Sequence, residues 1–216
     1  MSKTPLVSIV IASAGRSESL AACLKSVKRW TAPFYEIVIV SPPRPDAEIY
    51  TLSSEYPISW IFEQEMRGCV HAYNLGFAAS QGKFICHLND DIEVCPKWMT
   101  EMLKLVGDRD VQGAFYLKEP DTDGFVVNKI FDRLYGNFSL VKRSLAEQVG
   151  FWDESFVHYG ADPDFSLKLW NAGYEVVATP KACVIHHCVQ DEIRKEHLRE
   201  DASNHLVEKW QGVFWP

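Results

Sequence analysis

Four short apolar runs constrain this chain more than any other feature. Residues 7–12 (VSIVIA), 36–40 (EIVIV) and 83–88 (KFICHL) carry continuous, largely β-branched stretches. Such runs read as strands buried on both faces, as in a parallel sheet. Ile58–Phe62 supplies a further strand between them. Helical patterns fill the gaps. Leu20, Leu24 and Val27 share one face after Ser17, a candidate N-cap. Val70, Tyr73 and Phe77 share another, with Gly82 as its stop. Pro96 stands where a helix carrying Trp98, Met99, Met102, Leu103 and Val106 would begin. Strand–helix–strand repeated in this way predicts βαβ units, right-handed crossovers and an open α/β sheet over residues 1–106.

Open parallel sheets bind ligands at the carboxyl ends of their strands. Three segments fall there: the Ser13-Ala14-Gly15-Arg16 turn, the Ser41-Pro42-Pro43-Arg44-Pro45 loop and Asn89-Asp90-Asp91. Two adjacent carboxylates at the end of a buried strand repel each other and lose hydration. A divalent cation with oxygen ligands resolves this, and an exposed polar turn resolves it equally well.

The second half is less regular. Residues 111–117 alternate as a strand, and 118–128 read as a loop with a short strand. Ser144 and Glu147 have capping-box spacing before Gly150. An aromatic loop, FWDESFVHYG, precedes Asp162-Pro163, read as an N-cap and first helical residue. That helix turns Phe165, Leu169 and Trp170 inward and stops at Gly173. Two short strands, 175–178 and 182–185, lead into His186-His187, and a charged helical tail carries Trp210 and Trp215. One domain is expected over 1–216: a regular α/β half (1–106), a less regular half (107–190) and the tail (191–216).

Size and charge narrow the function. The 216 residues are 47% hydrophobic and 24% charged, enough to bury a core without staples. A net charge of -7 argues against a protein that coats nucleic acid. None of the six cysteines forms a C-x-x-C pair, so a reduced, cytoplasmic compartment is expected. No signal peptide and no membrane-spanning window are read. Peripheral contact with the inner face of a membrane stays open, as does the oligomeric state.

Taken in order, VSIVIASAGR, EIVIV, AYNLGFAASQGKFICHLNDD and VGFWDESFVHYGADPDFSLKLWNAGYEVVATPKACVIHH resemble the inverting family 2 glycosyltransferases over roughly residues 5–187. The resemblance implies the GT-A fold, a Rossmann-like, mostly parallel sheet flanked by helices with a smaller acceptor-side extension. It implies transfer from a nucleotide-sugar donor, a UDP-sugar or dTDP-sugar, to a glycan, lipid-linked or protein acceptor. It implies Mn²⁺ or Mg²⁺ on the diphosphate, held by Asp91 and by His186, with His187 the neighbouring candidate. Asp162 matches the catalytic base, with Asp164 in support. Asp153, Glu154 and Trp152 fall on the acceptor side. Ala12, Ser13, Gly15, Arg16, Ser41, Arg67, Asn74, Asn89 and Asp90 match donor-binding positions. Because Asp162 is read at a helix N-terminus, an ionised carboxylate is expected rather than one poised near neutrality. Trp152, His158, Trp210 and Trp215 are candidates for stacking on a sugar.

Three positions depart from the pattern. Ser41-Pro42-Pro43 replaces an acid, Tyr73-Asn74 replaces an Arg-Asn pair, and Ala161 replaces a Glu. The first leaves the nucleotide open. A nucleotidyltransferase would need a second glycine and a trailing lysine after strand one, and a dinucleotide fold would need G-x-G-x-x-G; both are absent. A non-catalytic sugar-nucleotide-binding module would keep Asp91 and need no base.

Overall fold

The computed structural model describes residues 4–32, 34–42, 51, 54–56, 58–190 and 202–214. The first half follows the predicted alternation. Strands β1 (Val7–Ala12), β2 (Tyr35–Ser41), β3 (Ile58–Phe62) and β4 (Phe84–Asn89) pair in parallel, β1 lying between β2 and β4. Helices α1 (Ser17–Trp30), α2 (Cys69–Ala79) and α3 (Trp98–Val106) cover the sheet.

The second half adds strands that its patterning did not announce. A three-residue strand, β5 (Ile92–Val94), follows the acid pair. Beyond β6 (Val111–Lys118) come a small hairpin, β7 (Lys129–Ile130) with β8 (Arg133–Leu134), and then β9 (Ser139–Lys142). Helices α4 (Arg143–Val149) and α5 (Ala161–Asn171) lead to β10 (Glu175–His186). The eight-stranded sheet runs β3-β2-β1-β4-β9-β6-β10-β5. β9 is antiparallel to both neighbours and joins the parallel wing to the β6–β10 pair. The tail helix α6 spans Ala202–Phe214.

Side-chain alternation builds a core on each face of the sheet. Ile9, Ile11, Ile37 and Ile39 pack with Leu20, Leu24 and Val27 of α1 and with Trp98 and Met102 of α3. Val10, Val38 and Ile85 pack on the other face with Tyr73 and Phe77 of α2, Phe165 and Leu169 of α5 and Trp210 of α6. Each fully buried aliphatic or aromatic side chain contributes about 1.5–3 kcal/mol. The mostly parallel wing flanked by helices is the fold class read from sequence.

Several local expectations are corrected. Ser17 is the first helical residue of α1, with Arg16 at the cap position. Helix α3 begins at Trp98, and Lys97 caps it at φ 64°, so Pro96 lies in the preceding turn. Ser144 sits inside α4, and Glu147 pairs with Arg143 at 3.3 Å rather than closing a capping box. Gly82 does not cap α2, which ends at Ala79 with Ser80 at the cap position. A Cβ at Gly82 would lie 2.6 Å from the Ser8 nitrogen, so its role is close packing of the chain against β1. Segments 175–178 and 182–185 form one strand, with a register shift between Thr179 and Cys183. Helix α5 starts at Ala161 with Gly160 at the cap (φ 90°), a left-handed conformation that glycine adopts readily. Asp162 is therefore inside the first turn and is not the N-cap.

Candidate functional site

The carboxyl ends of β1 and β4 lie side by side, Ala12 opposite Asn89. A cleft of about 590 Å³ opens there, bounded by the turn after β1, the start of α2, the end of β4 and the N-terminus of α5. Ala12, Ser13 and Arg16 line it, with Arg67, Asn89 and Asp90 beyond. Trp152, His158, Asp162 and His186 form its far side.

The acid pair is buried, each residue 2% exposed. Asp90 faces the cleft: its Oδ2 accepts from Ser13 Oγ at 2.8 Å and its Oδ1 from Arg16 at 3.1 Å. Burial raises the Asp90 carboxyl to about 6, against the pull of Arg16 and Ser13 and with the help of the neighbouring Asp91 charge. Asp91 turns toward the end of β10. Its Oδ2 accepts from the Val189 amide at 2.9 Å, and its Oδ1 lies 3.2 Å from His186 Nε2. Burial opposes ionisation of Asp91, but His186, the Val189 amide and Arg16 outweigh it and lower its pKa. His186 is 7% exposed. Burial disfavours its charged form, yet hydrogen bonds donated by its ring to Asp91 and Glu119 hold its pKa above the usual value. His187 points away, 3.5 Å from Glu93 and half exposed. Of the two histidines, His186 shares the site with Asp91.

Tyr73, at the position where an arginine was expected, clasps the end of β4. Its hydroxyl lies 2.8 Å from both the Leu88 carbonyl and Asn89 Oδ1. Asn74 does not line the cleft. Its side-chain amide donates to the Trp152 carbonyl at 2.9 Å and accepts from the Trp152 amide at 3.1 Å, tying α2 to the 151–156 loop. Glu154 is held at the rim by Arg67, His71 and Asn74. Ser41 is fully buried and Gly15 sits in the turn at φ 102°; neither lines the cleft. The rest of the proline loop, residues 43–45, lies outside the described residues, as does Trp215.

Asp162 and Asp164, two residues apart on α5, meet different surroundings. Asp162 Oδ2 accepts from Asn137 Nδ2 at 3.0 Å at the cleft wall. Asn137 is itself fixed: its Oδ1 accepts from Asn128 at 2.7 Å, and its carbonyl accepts from His87 Nε2 at 2.7 Å. Burial pushes the His87 pKa down to about 4, so at neutral pH this ring is a neutral Nε2–H donor. Burial likewise lifts the Asp162 carboxyl to about 7, opposed only in part by its own amide, Asn137 and the more distant His186. This overturns the expectation of a plainly ionised acid. The favourable helix terminus is outweighed by burial in the cleft wall, with no cation among the described residues paired to the carboxylate.

Asp164, by contrast, is 0% exposed and faces away from the cleft. Its Oδ1 accepts from Trp210 Nε1 at 2.7 Å and lies 2.8 Å from Lys209 Nζ. Lys209 also meets Asp153 at 2.6 Å. Asp153 and Asp164 thus anchor α6 through Lys209, and Trp210 is a partner of Asp164 rather than a sugar platform. Glu63, Glu119 and Asn137 are among the cleft residues that had not been singled out. Glu63 and Glu119 follow strands β3 and β6, so the strand-end rule that found Asp90 could have found them; Asn137 lies in a segment with no periodic signal.

A carboxylate and an imidazole 3.2 Å apart, with a second buried carboxylate in the adjoining residue, form a donor set suited to Mn²⁺ or Mg²⁺. No described helix is long and apolar enough to cross a membrane.

The family model described as "Glycosyl transferase family 2" matches residues 8–161. An uncharacterized glycosyltransferase, YwdF of Bacillus subtilis, is 27% identical over 198 residues, covering 83% of this chain and 73% of its own. Among solved structures, the mannosyltransferase PcManGT of Pyrobaculum calidifontis, in complex with GDP-Man and Mn²⁺, superposes with a TM-score of 0.74 at 15% identity. It matches 100% of this chain and 66% of its own. GalNAc-T7 with UDP, GalNAc and Mn²⁺ gives a TM-score of 0.72 at 14% identity, over 98% of this chain and 50% of its own. These two likenesses carry the GT-A fold, and the match over residues 8–161 places the chain in glycosyl transferase family 2.

Proposed function

We propose that this chain is a metal-dependent inverting glycosyltransferase. It moves a sugar from a nucleotide-sugar donor, with a UDP-sugar the first candidate, to an acceptor hydroxyl. The observation that carries the reading is Asp162: a carboxyl lifted to about 7 and fixed by Asn137, in the same cleft as Asp90, Arg16 and His186. A base with a pKa near the working pH is well matched to taking a proton from a hydroxyl.

In the proposed reaction the acceptor oxygen attacks the anomeric carbon and the bond to the diphosphate oxygen breaks. The hydroxyl proton passes to Asp162, and the nucleoside diphosphate leaves with the bonding electrons. One carboxylate suffices for such a single displacement. Ser13 and Arg16 hold the turn against Asp90 on the donor side. Asp91 and His186 would hold Mn²⁺ or Mg²⁺, which supplies charge neutralisation for the leaving diphosphate. Asn137 keeps the base oriented, and Trp152 presents an aromatic wall to the sugar.

The nucleotide is open, since one solved neighbour carries GDP-Man and the other UDP. A panel of nucleotide sugars, assayed for binding and hydrolysis with Mn²⁺ against EDTA, tests the reading. One donor should bind in a metal-dependent way that Asp91→Ala abolishes. If no donor binds better with metal than with EDTA, the proposal is wrong. The competing reading, a binding module without turnover, requires Asp162→Asn to change nothing but to leave donor binding in place.

A further inference from the structure

The strand register sets a second carboxylate against His186. β6 and β10 run in parallel with Leu117 opposite Val184 and Lys118 opposite Ile185. The next residues in that register are Glu119 and His186. Glu119 Oε1 lies 2.7 Å from His186 Nδ1, on the side of the ring opposite Asp91, which lies 3.2 Å from Nε2. Phe138 closes on the same ring edge-on, with centroids 5.3 Å apart and planes at 77°.

These contacts determine which nitrogen is free to bind. An ionised carboxylate only accepts, so the short contact requires a hydrogen on Nδ1. Nε2 also faces a carboxylate, Asp91, and carries its own hydrogen there while the ring is charged; with the Nδ1 hydrogen held by Glu119, the one a cation would displace is that on Nε2. An imidazole held in this way presents one defined nitrogen with raised basicity, as in carboxylate–histidine–metal arrangements. We infer that Glu119 is a positioning residue: by accepting the Nδ1 hydrogen it fixes His186 with Nε2 toward Asp91 and so sets the affinity of the site for a divalent cation. The inference rests on the assignment of Asp91 and His186 as the ion's ligands.

Cys188 offers a different arrangement. Its Sγ lies 3.4 Å from both Glu119 Oε1 and His186 Nδ1, so these three side chains form a compact cluster. A softer ion such as Zn²⁺ bound by that cluster would need Nδ1 deprotonated, and Glu119 would then be a direct ligand. The 2.7 Å hydrogen bond favours the positioning role.

The test is Mn²⁺ binding followed by electron paramagnetic resonance, on the full chain and with no donor present. Glu119→Ala and Glu119→Gln should each weaken binding by about 10–100-fold. Metal-free melting temperatures should stay close to that of the wild type, because the Glu119 side chain is 29% exposed. His186→Ala should weaken binding further, and adding Glu119→Ala to it should cost nothing more, since Glu119 acts only through the ring. Unchanged Mn²⁺ affinity in both Glu119 variants overturns the inference, as does full additivity with His186→Ala. A cobalt–thiolate absorption band lost in Cys188→Ser also overturns it, in favour of direct ligation by the cluster. A wild-type protein that binds no Mn²⁺ removes the ion-site reading itself, and the inference with it.

Discussion

The two sides of helix α5 put the same side chain to different uses. Asp162 faces the cleft, where its neighbour is an amide and its charged form is disfavoured. Asp164, half a turn on, faces α6, where an ammonium and an indole N–H meet a single oxygen. Neither motif nor helix position separates them, since both fall in the acidic first turn. The partner does: a carboxylate denied a cation is poised to take a proton, while one given a cation becomes an anchor. On the proposed reading, α5 carries chemistry on one side and architecture on the other.

The strongest way to break it is on the anchoring side. Lys209→Ala removes the nearer of two lysines at buried Asp164, 2.8 Å away, and leaves only Lys168 at 3.9 Å; removing one partner of a buried pair is costly. Discounted for the partial exposure of Lys209, the expected loss is about 3 kcal/mol in urea unfolding, with α6 released first. A change below about 0.5 kcal/mol would mean that the pair is screened like a surface one.

The next effect lies on the cleft side and has a sign. The folded-state pKa of Asp162 is raised to about 7. Its contribution to stability is therefore fully present below the unfolded carboxylate pKa near 4 and is lost as pH rises through about 7. In metal-free protein at pH 8, Asp162→Asn should gain about 1–2 kcal/mol, a figure discounted for the solvent that reaches the cleft, and the gain should vanish by pH 4. Turnover should run the opposite way in the wild type, rising with pH and levelling above about 7. A pH-independent difference between the two proteins would contradict the assignment. The smallest effect is at the strand end: Tyr73→Phe removes a hydrogen bond to Leu88 or Asn89 and should cost about 1 kcal/mol with little change in donor binding.

Much of this was legible in the chain. The runs 7–12, 36–40 and 83–88 declared the parallel wing because each must bury both faces, and the strand-end rule then located Ser13, Asn89 and Asp90. His186 and Asp162 came from the family resemblance and share the cleft. Strands β7, β8 and β9 escaped because two to four residues show no period and because their pairing is set by partners distant in sequence. The capping errors at Ser17, Ser144 and Asp162 have one cause, since glycine or another residue took the cap position and the helix began earlier than the polar residue implied. The roles of Asp153, Asp164 and Asn74 depended on what stood opposite them, which spacing cannot reveal.

One measurement tests the division of α5 most directly: single-turnover transfer, at saturating donor and metal, by Asp162→Asn and Asp164→Asn. Both are assayed well below their melting temperatures and normalised to folded protein. The expected result is a loss of 10²–10⁴-fold for Asp162→Asn with donor affinity retained, and a loss of less than about 5-fold for Asp164→Asn. Comparable losses in both variants, or a fully active Asp162→Asn enzyme, would contradict the account.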